Sequence, residues 1–142
     1  MAAANTFHLR ILSPERVFYE GDVSMLELTT TEGEIGIYAG HIPTTFVLAP
    51  GVMRIHEAAD AKGVTQVREA ALHSGFIEVL PEEVHVIAEA VEWPEEIDLN
   101  RARIAQQRAE RRLKRYSSGM NVMRTELALR RALVRIEVGE KR

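Results

Sequence analysis

The 142-residue chain has no cysteine, which excludes disulfides and thiolate metal sites and fits a reducing compartment. No apolar run approaches the roughly 18 residues of a membrane span. The opening MAAANTFHLR has neither the basic start nor the apolar middle of a secretory leader. The sequence therefore predicts a soluble protein that is not exported. His8, His41, His56, His73 and His85 show no H-E-x-x-H or comparable ligand spacing, so no metal site is expected. There is no G-x-S-x-G elbow and no thiol nucleophile, and the adjacent carboxylates Glu82 and Glu83 follow a proline on a turn, where such pairs are usually solvated. Catalysis is not expected. Phosphate-loop patterns are missing too: in GEIGIYAGHIPT, residues 33–44, no Lys follows the glycines, and Ile42, Pro43, Thr44 and Thr45 disfavour a helix there.

What is present is unevenly distributed. The formal charge of −3 conceals 5 Lys+Arg against 14 Asp+Glu in residues 1–93, a net of −9, and 13 against 7 in residues 94–142, a net of +6. Seven glycines precede Trp93 and two, Gly119 and Gly139, follow it. A change of charge and of turn content at one place predicts two segments with different roles, 1–93 and 94–142.

In the first segment the apolar pattern has a period of two, as in Phe7-x-Leu9-x-Ile11 and Val84-x-Val86-x-Ala88-x-Ala90, the mark of half-buried strands. Turn signals punctuate these runs at Ser13-Pro14, Glu20-Gly21, Glu32-Gly33, Ala39-Gly40, Pro50-Gly51, Lys62-Gly63, Ser74-Gly75 and Leu80-Pro81. Counting them as strand breaks predicts an all-β sandwich of about ten short strands.

After Pro94 the period changes. Asp98 is a natural N-cap, and Leu99, Ala102, Ala109, Leu113 and Tyr116 recur at helical spacing, predicting a helix over about 98–116. Ser117-Ser118-Gly119 reads as a break, and Val122, Leu129, Leu133 and Ile136 form a second stripe. Both stripes are narrow and flanked by arginines. The helices of this antiparallel two-helix hairpin must therefore pack on something: each other, the sandwich, or another protein.

Taken together, GEIGIYAGHIPT at 33–44, PGVMRI at 50–55, SGFIEVLPEEVHVIAEA at 74–90 and IDLNRA at 97–102 resemble the epsilon subunit of bacterial F-type ATP synthases over nearly the whole chain. The resemblance implies a non-catalytic rotor subunit on the cytoplasmic face of the inner membrane. Its expected partners are the gamma subunit, the membrane rotor ring and, transiently, the catalytic alpha and beta subunits, with no nucleic acid. It casts the Gly33–His41 stretch as a loop near the ring, with Glu32 and Glu34 as acidic contacts and His41 as a packing or hydrogen-bonding residue. It casts the second helix as an inhibitory arm whose positive face is Arg124, Arg130, Arg131 and Arg135.

In some members of the family a motif like IDLNRA belongs to an ATP site, so the resemblance implies no required cofactor but ATP as a regulatory ligand. The residues carried over are Glu92, Ile97, Asp98, Arg101, Ala102, Arg108, Arg131 and Arg135. The spacing is compatible with this, since Arg101, Arg108, Arg112 and Arg115 share a helix face and Arg131 and Arg135 share another. The competing reading is that Asp98 caps the helix and pairs with Arg101 while the arginines keep the hairpin soluble. Two other classes compete for the whole chain. A stand-alone nucleotide sensor leaves the acidic Gly-rich stretch without a purpose. A nucleic-acid binder conflicts with a sandwich at −9 and with the lack of exposed aromatics among the arginines.

Overall fold

Strand alternation produces the expected sandwich, but with fewer and longer strands. The computed structural model describes residues 5–115 and 121–141. Among these, seven strands form: β1 (Phe7–Leu12), β2 (Val17–Thr30), β3 (Gly33–Tyr38), β4 (Thr44–Leu48), β5 (Gly51–Glu57), β6 (Val67–Val79) and β7 (Glu83–Glu92). The count is seven rather than about ten because Glu20-Gly21 and Ser74-Gly75 do not end strands. β2 runs through the first pair and β6 through the second.

These two long strands fold the sheet over itself. β2 pairs with β1 along its first half, with β3 along its second and with β5 across its middle. β6 pairs with β5 along residues 67–72 and with β4 along 75–79, while β7 lies on its other edge. A parallel β1–β7 pairing closes the arrangement. Between the layers lies one continuous core that includes Leu9, Ile11, Leu26, Ile37, Met53, Ile55, Leu72, Ile77 and Val86.

The interruption in β6 is a bend with a purpose. Ser74 and Gly75 both have positive φ, 63° and 140°, and the core-facing set shifts from Ala70 and Leu72 before them to Ile77 and Val79 after them. A Cβ on Gly75 would collide with the carbonyl oxygen of Ile87 on β7, so only glycine lets the two strands stay paired there.

Ahead of the bend, Ala70, Ala71, Leu72 and His73 are all buried, so both faces of β6 are covered. The outer cover is helical. α1 (Leu99–Lys114) is capped by Asp98, whose Oδ1 accepts the Arg101 amide at 3.1 Å, and α2 (Val122–Gly139) is capped in the same way by Asn121. Arg103 near the start of α1 bonds Glu140 just past the end of α2, so the helices run antiparallel. The predicted C-terminal turn of the first helix at Tyr116 and the break at Ser117-Ser118-Gly119 lie outside the described residues.

The contact face of α2 differs from the predicted stripe. Leu133 is 44% exposed, whereas Ala132, Val134 and Val138 are buried. The helix touches two bodies, α1 on one side and the sheet on the other, so its buried positions spread over more than one stripe. Against the sheet, Val134 and Val138 meet Ala71 and Ile97, flanked by Val52 and Leu99.

The junction between the segments is clamped. The Trp93 ring stacks on Phe18 at 4.1 Å between centroids, and the Arg68 guanidinium lies 4.0 Å from its ring centre. A 3-10 turn, Pro94–Glu96, follows, and Arg16 grips both oxygens of Glu96 at 2.7 and 2.6 Å.

Candidate functional site: a charged interface between sandwich and hairpin

The charge asymmetry of the sequence meets itself where α2 lies on the sheet. Arg135 Nε donates to Glu92 Oε1 at 2.6 Å, Arg131 lies 3.6 Å from Glu89, and Lys141 pairs with Glu69 at 3.2 Å. Each basic group comes from α2 or the residues after it, and each carboxylate from β6 or β7. These pairs flank the small Val134–Val138 contact.

Like Glu69, which also takes Arg54 Nε at 2.8 Å, Glu92 has two partners. Its Oε1 accepts from Arg135 and also from Nε2 of His73 at 3.0 Å. Burial alone would push the Glu92 carboxyl up, but the hydrogen bonds from His73 and Arg135 and the charge of Arg135 outweigh it and hold the group below the ordinary carboxylate value of 4.5.

The nucleotide-site residues fall into separate surroundings. Glu92 and Arg135 touch, and Arg131 lies one turn before Arg135. Ile97 is buried under α2 and Ala102 is buried too, so their side chains serve packing. The Asp98 carboxylate is occupied as the helix cap, bonding the Arg101 backbone. Arg101 and Arg108 are exposed, and Arg108 lies further along α1, on a groove of about 940 Å³ with Arg111, Arg112, Arg115 and Arg124.

Of the arm residues, Arg131 and Arg135 are turned onto the sandwich, whereas Arg124 and Arg130 are exposed and make no ion pair among the described residues. The GEIGIY part of the supposed loop is strand β3, entered through a turn at Thr31 and Glu32. Glu32 and Glu34 are both exposed at that end. His41 lies beyond the other end of β3, a strand length of roughly 20 Å away for six residues. Its Nδ1 donates to the Ile42 carbonyl at 2.7 Å and its ring meets Phe46 edge-on. Gly33 and Gly40 have positive φ, 125° and 82°.

Four residues at this interface were missed by sequence reasoning. Glu69, His73, Glu89 and Lys141 show no linear spacing that links them. One signal was available: the run Ala70-Ala71-Leu72-His73 does not alternate, which marks a strand covered on both faces. No helix among the described residues is long and apolar enough to cross a membrane.

Comparison with known proteins gives this architecture its class. Residues 6–94 match the family described as ATP synthase, Delta/Epsilon chain, beta-sandwich domain, and residues 95–140 match the ATP synthase, Delta/Epsilon chain, long alpha-helix domain. The ATP synthase epsilon chain of Caldanaerobacter subterraneus subsp. tengcongensis is 43% identical over 137 residues, covering 96% of this chain and 95% of that protein. The chain belongs to the ATP synthase epsilon chain family, and so is a stalk subunit that is not itself catalytic. The fold recurs in solved assemblies. A chain of the Euglena gracilis mitochondrial ATP synthase OSCP/F1/c-ring structure superposes with a TM-score of 0.77 at 22% identity, covering 93% of this chain and 79% of that one. One from the Tetrahymena thermophila mitochondrial ATP synthase central stalk/c-ring structure gives 0.57 at 14% identity, covering 95% and 94%.

Proposed function

We propose that this subunit joins the rotor ring to the catalytic head and restrains ATP hydrolysis through its C-terminal helices. In this reading residues 1–93 are the docking domain, bound to the gamma subunit and, through Glu32 and Glu34, to the ring. Residues 94–142 are the regulatory hairpin, which contacts the alpha and beta subunits only when it leaves the sandwich. The subunit then sits peripherally on the cytoplasmic face of the membrane.

The observation that supports this best is how α2 is held. Its apolar contact with the sheet is small, and two of its four arginines, Arg131 and Arg135, are paired with Glu89 and Glu92 of the same chain, as is Lys141 just beyond it with Glu69. Exposed ion pairs contribute about 0 to 1 kcal/mol each, so an acidic surface on a partner can compete for Arg131 and Arg135. Deleting residues 120–142 should raise ATP hydrolysis by the assembled enzyme and leave assembly intact. An unchanged rate would remove the inhibitory role.

ATP is the proposed regulatory ligand of the compact hairpin. Arg101 and Arg108 are exposed and without an ion pair among the described residues, and Arg131 and Arg135 lie on the facing helix. A ligand that binds only the closed hairpin stabilises it by about 2.7 kcal/mol at a hundredfold excess over Kd. Calorimetry with the parent, Arg101→Ala and Arg135→Ala should show heat that the substitutions reduce. No heat at millimolar ATP would end the nucleotide-sensing part alone.

A further inference from the structure

His73 is 1% exposed, and a polar ring so deeply buried is costly unless its nitrogens find partners. Its Nδ1 has none. Its Nε2 has one, Glu92 Oε1 at 3.0 Å, so the whole hydrogen-bonding use of this buried imidazole is to hold one carboxylate. An apolar side chain of similar size would fill the space at lower cost.

The position explains why that carboxylate matters. On the covered outer face of the sheet, His73 lies opposite Ala90 and Ala71 lies opposite Glu92, so His73 and Glu92 are diagonal neighbours across β6 and β7. The oxygen that His73 holds is the one to which Arg135 of α2 donates at 2.6 Å. Glu92 is only partly covered, and a glutamate side chain left to itself samples many rotamers. With Oε1 fixed by a ring that packing prevents from turning, Arg135 meets an acceptor already in place.

We propose that His73 is a positioning residue for the docked hairpin, presetting Glu92 so that Arg135 can latch α2 onto the sandwich. This rests on the reading of the hairpin as a detachable arm and names the residue that sets its hold. Two features of the chemistry make it specific. The donor must sit where Nε2 sits, and the effect must pass through Arg135.

Amide hydrogen exchange of residues 134–138 in the full chain tests both, with β1 and β2 as the control for an intact sandwich. Arg135→Gln should speed α2 exchange on the order of tenfold. His73→Val should do so to a similar degree, and the double variant should be no faster than the more affected single one. His73→Gln places an amide N–H near the Nε2 position and should restore parental exchange. His73→Asn, whose amide mimics Nδ1, should not. If His73→Val disrupts the sandwich, the two amide variants carry the test. Should Arg135→Gln loosen α2 while His73→Val leaves it unchanged, or should the two effects add, or should Asn rescue as well as Gln, His73 is not the positioning residue and the detachable arm still stands. Should Arg135→Gln itself leave α2 unchanged, the latch falls along with the proposal.

Discussion

The two halves of this chain are held by different forces. The sandwich is closed by long-range strand pairing around a core of Leu, Ile, Val and Met that water does not reach. The hairpin buries mainly small side chains, Ala102, Ala109 and Ala132, and meets the sheet through four buried residues, of which Ile97, Val134 and Val138 come from its own segment. Fully burying such a side chain contributes about 1.5 to 3 kcal/mol, so the hairpin's place is decided by a few contacts and by charge, whereas the sandwich's is decided many times over. The proposed role, a subunit that stays attached while its hairpin rearranges, calls for this division.

Breaking the sandwich should therefore cost most. Gly75→Val forces a Cβ into the Ile87 carbonyl at a φ of 140° and should prevent folding altogether, seen as loss of soluble expression or of a cooperative transition. Leu72→Ala in the sandwich core should cost about 2 to 5 kcal/mol in denaturant unfolding. Truncation after Trp93 should leave one cooperative unfolding transition, because the core lies entirely within residues 7–91 apart from Trp93 packed at its edge. If it does not, the hairpin is part of the folding unit and the comparison fails.

On the hairpin side, Val138→Ala should loosen α2 without moving the main sandwich transition, and hydrogen exchange would separate the two. The smallest effects are in pH, and they have opposite signs. Glu92 has a lowered carboxyl, so its contribution to docking is present above about pH 4.5 and is lost as pH falls through its lowered value. His8 on β1 is raised, chiefly by its hydrogen bonds to Glu20 and Asp22, so its contribution is present below about pH 6.5 and is lost as pH rises through its raised value. Acid should thus loosen α2, together with the Arg16–Glu96 clamp and the His8–Glu20 pair, whose carboxyls are lowered as well, while mild alkali should touch the β1–β2 edge and leave α2 in place. Exchange measured at both extremes would show it.

Much of this was legible in sequence. Alternation and the shift of charge at Trp93 pointed to a sandwich and a helical hairpin, and Asp98 is the helix cap its chemistry suggested. The number of strands was not legible, because Ser-Gly and Glu-Gly look the same whether the chain turns or merely bends, and only the partner strand decides. Nor was the interface, since it depends on which carboxylates of a folded sheet end up beneath which arginines. Glu92 and Arg135 are 43 residues apart, and His73 and Glu92 are 19. The one local trace, four non-alternating residues before His73, says that something covers the strand without saying what.

The clamp around Trp93 also has a mechanical meaning. With Glu96 tied to Arg16 and the indole held between Phe18 and Arg68, the backbone is anchored up to the last residue before Ile97, and Asp98 already belongs to the cap of α1. Between them stands Ile97, buried beneath α2 and bonded through its N–H to the Pro94 carbonyl at 3.3 Å, so a swing of the arm turns there only once α2 has lifted away. α1 has 16 residues, a rigid lever of about 24 Å at 1.5 Å per residue. Turning it by roughly 30° at that pivot carries its far end through about 12 Å, for a rod of this pitch. A change of backbone angle confined to one residue is thereby geared up to a displacement of about the width of the helix itself.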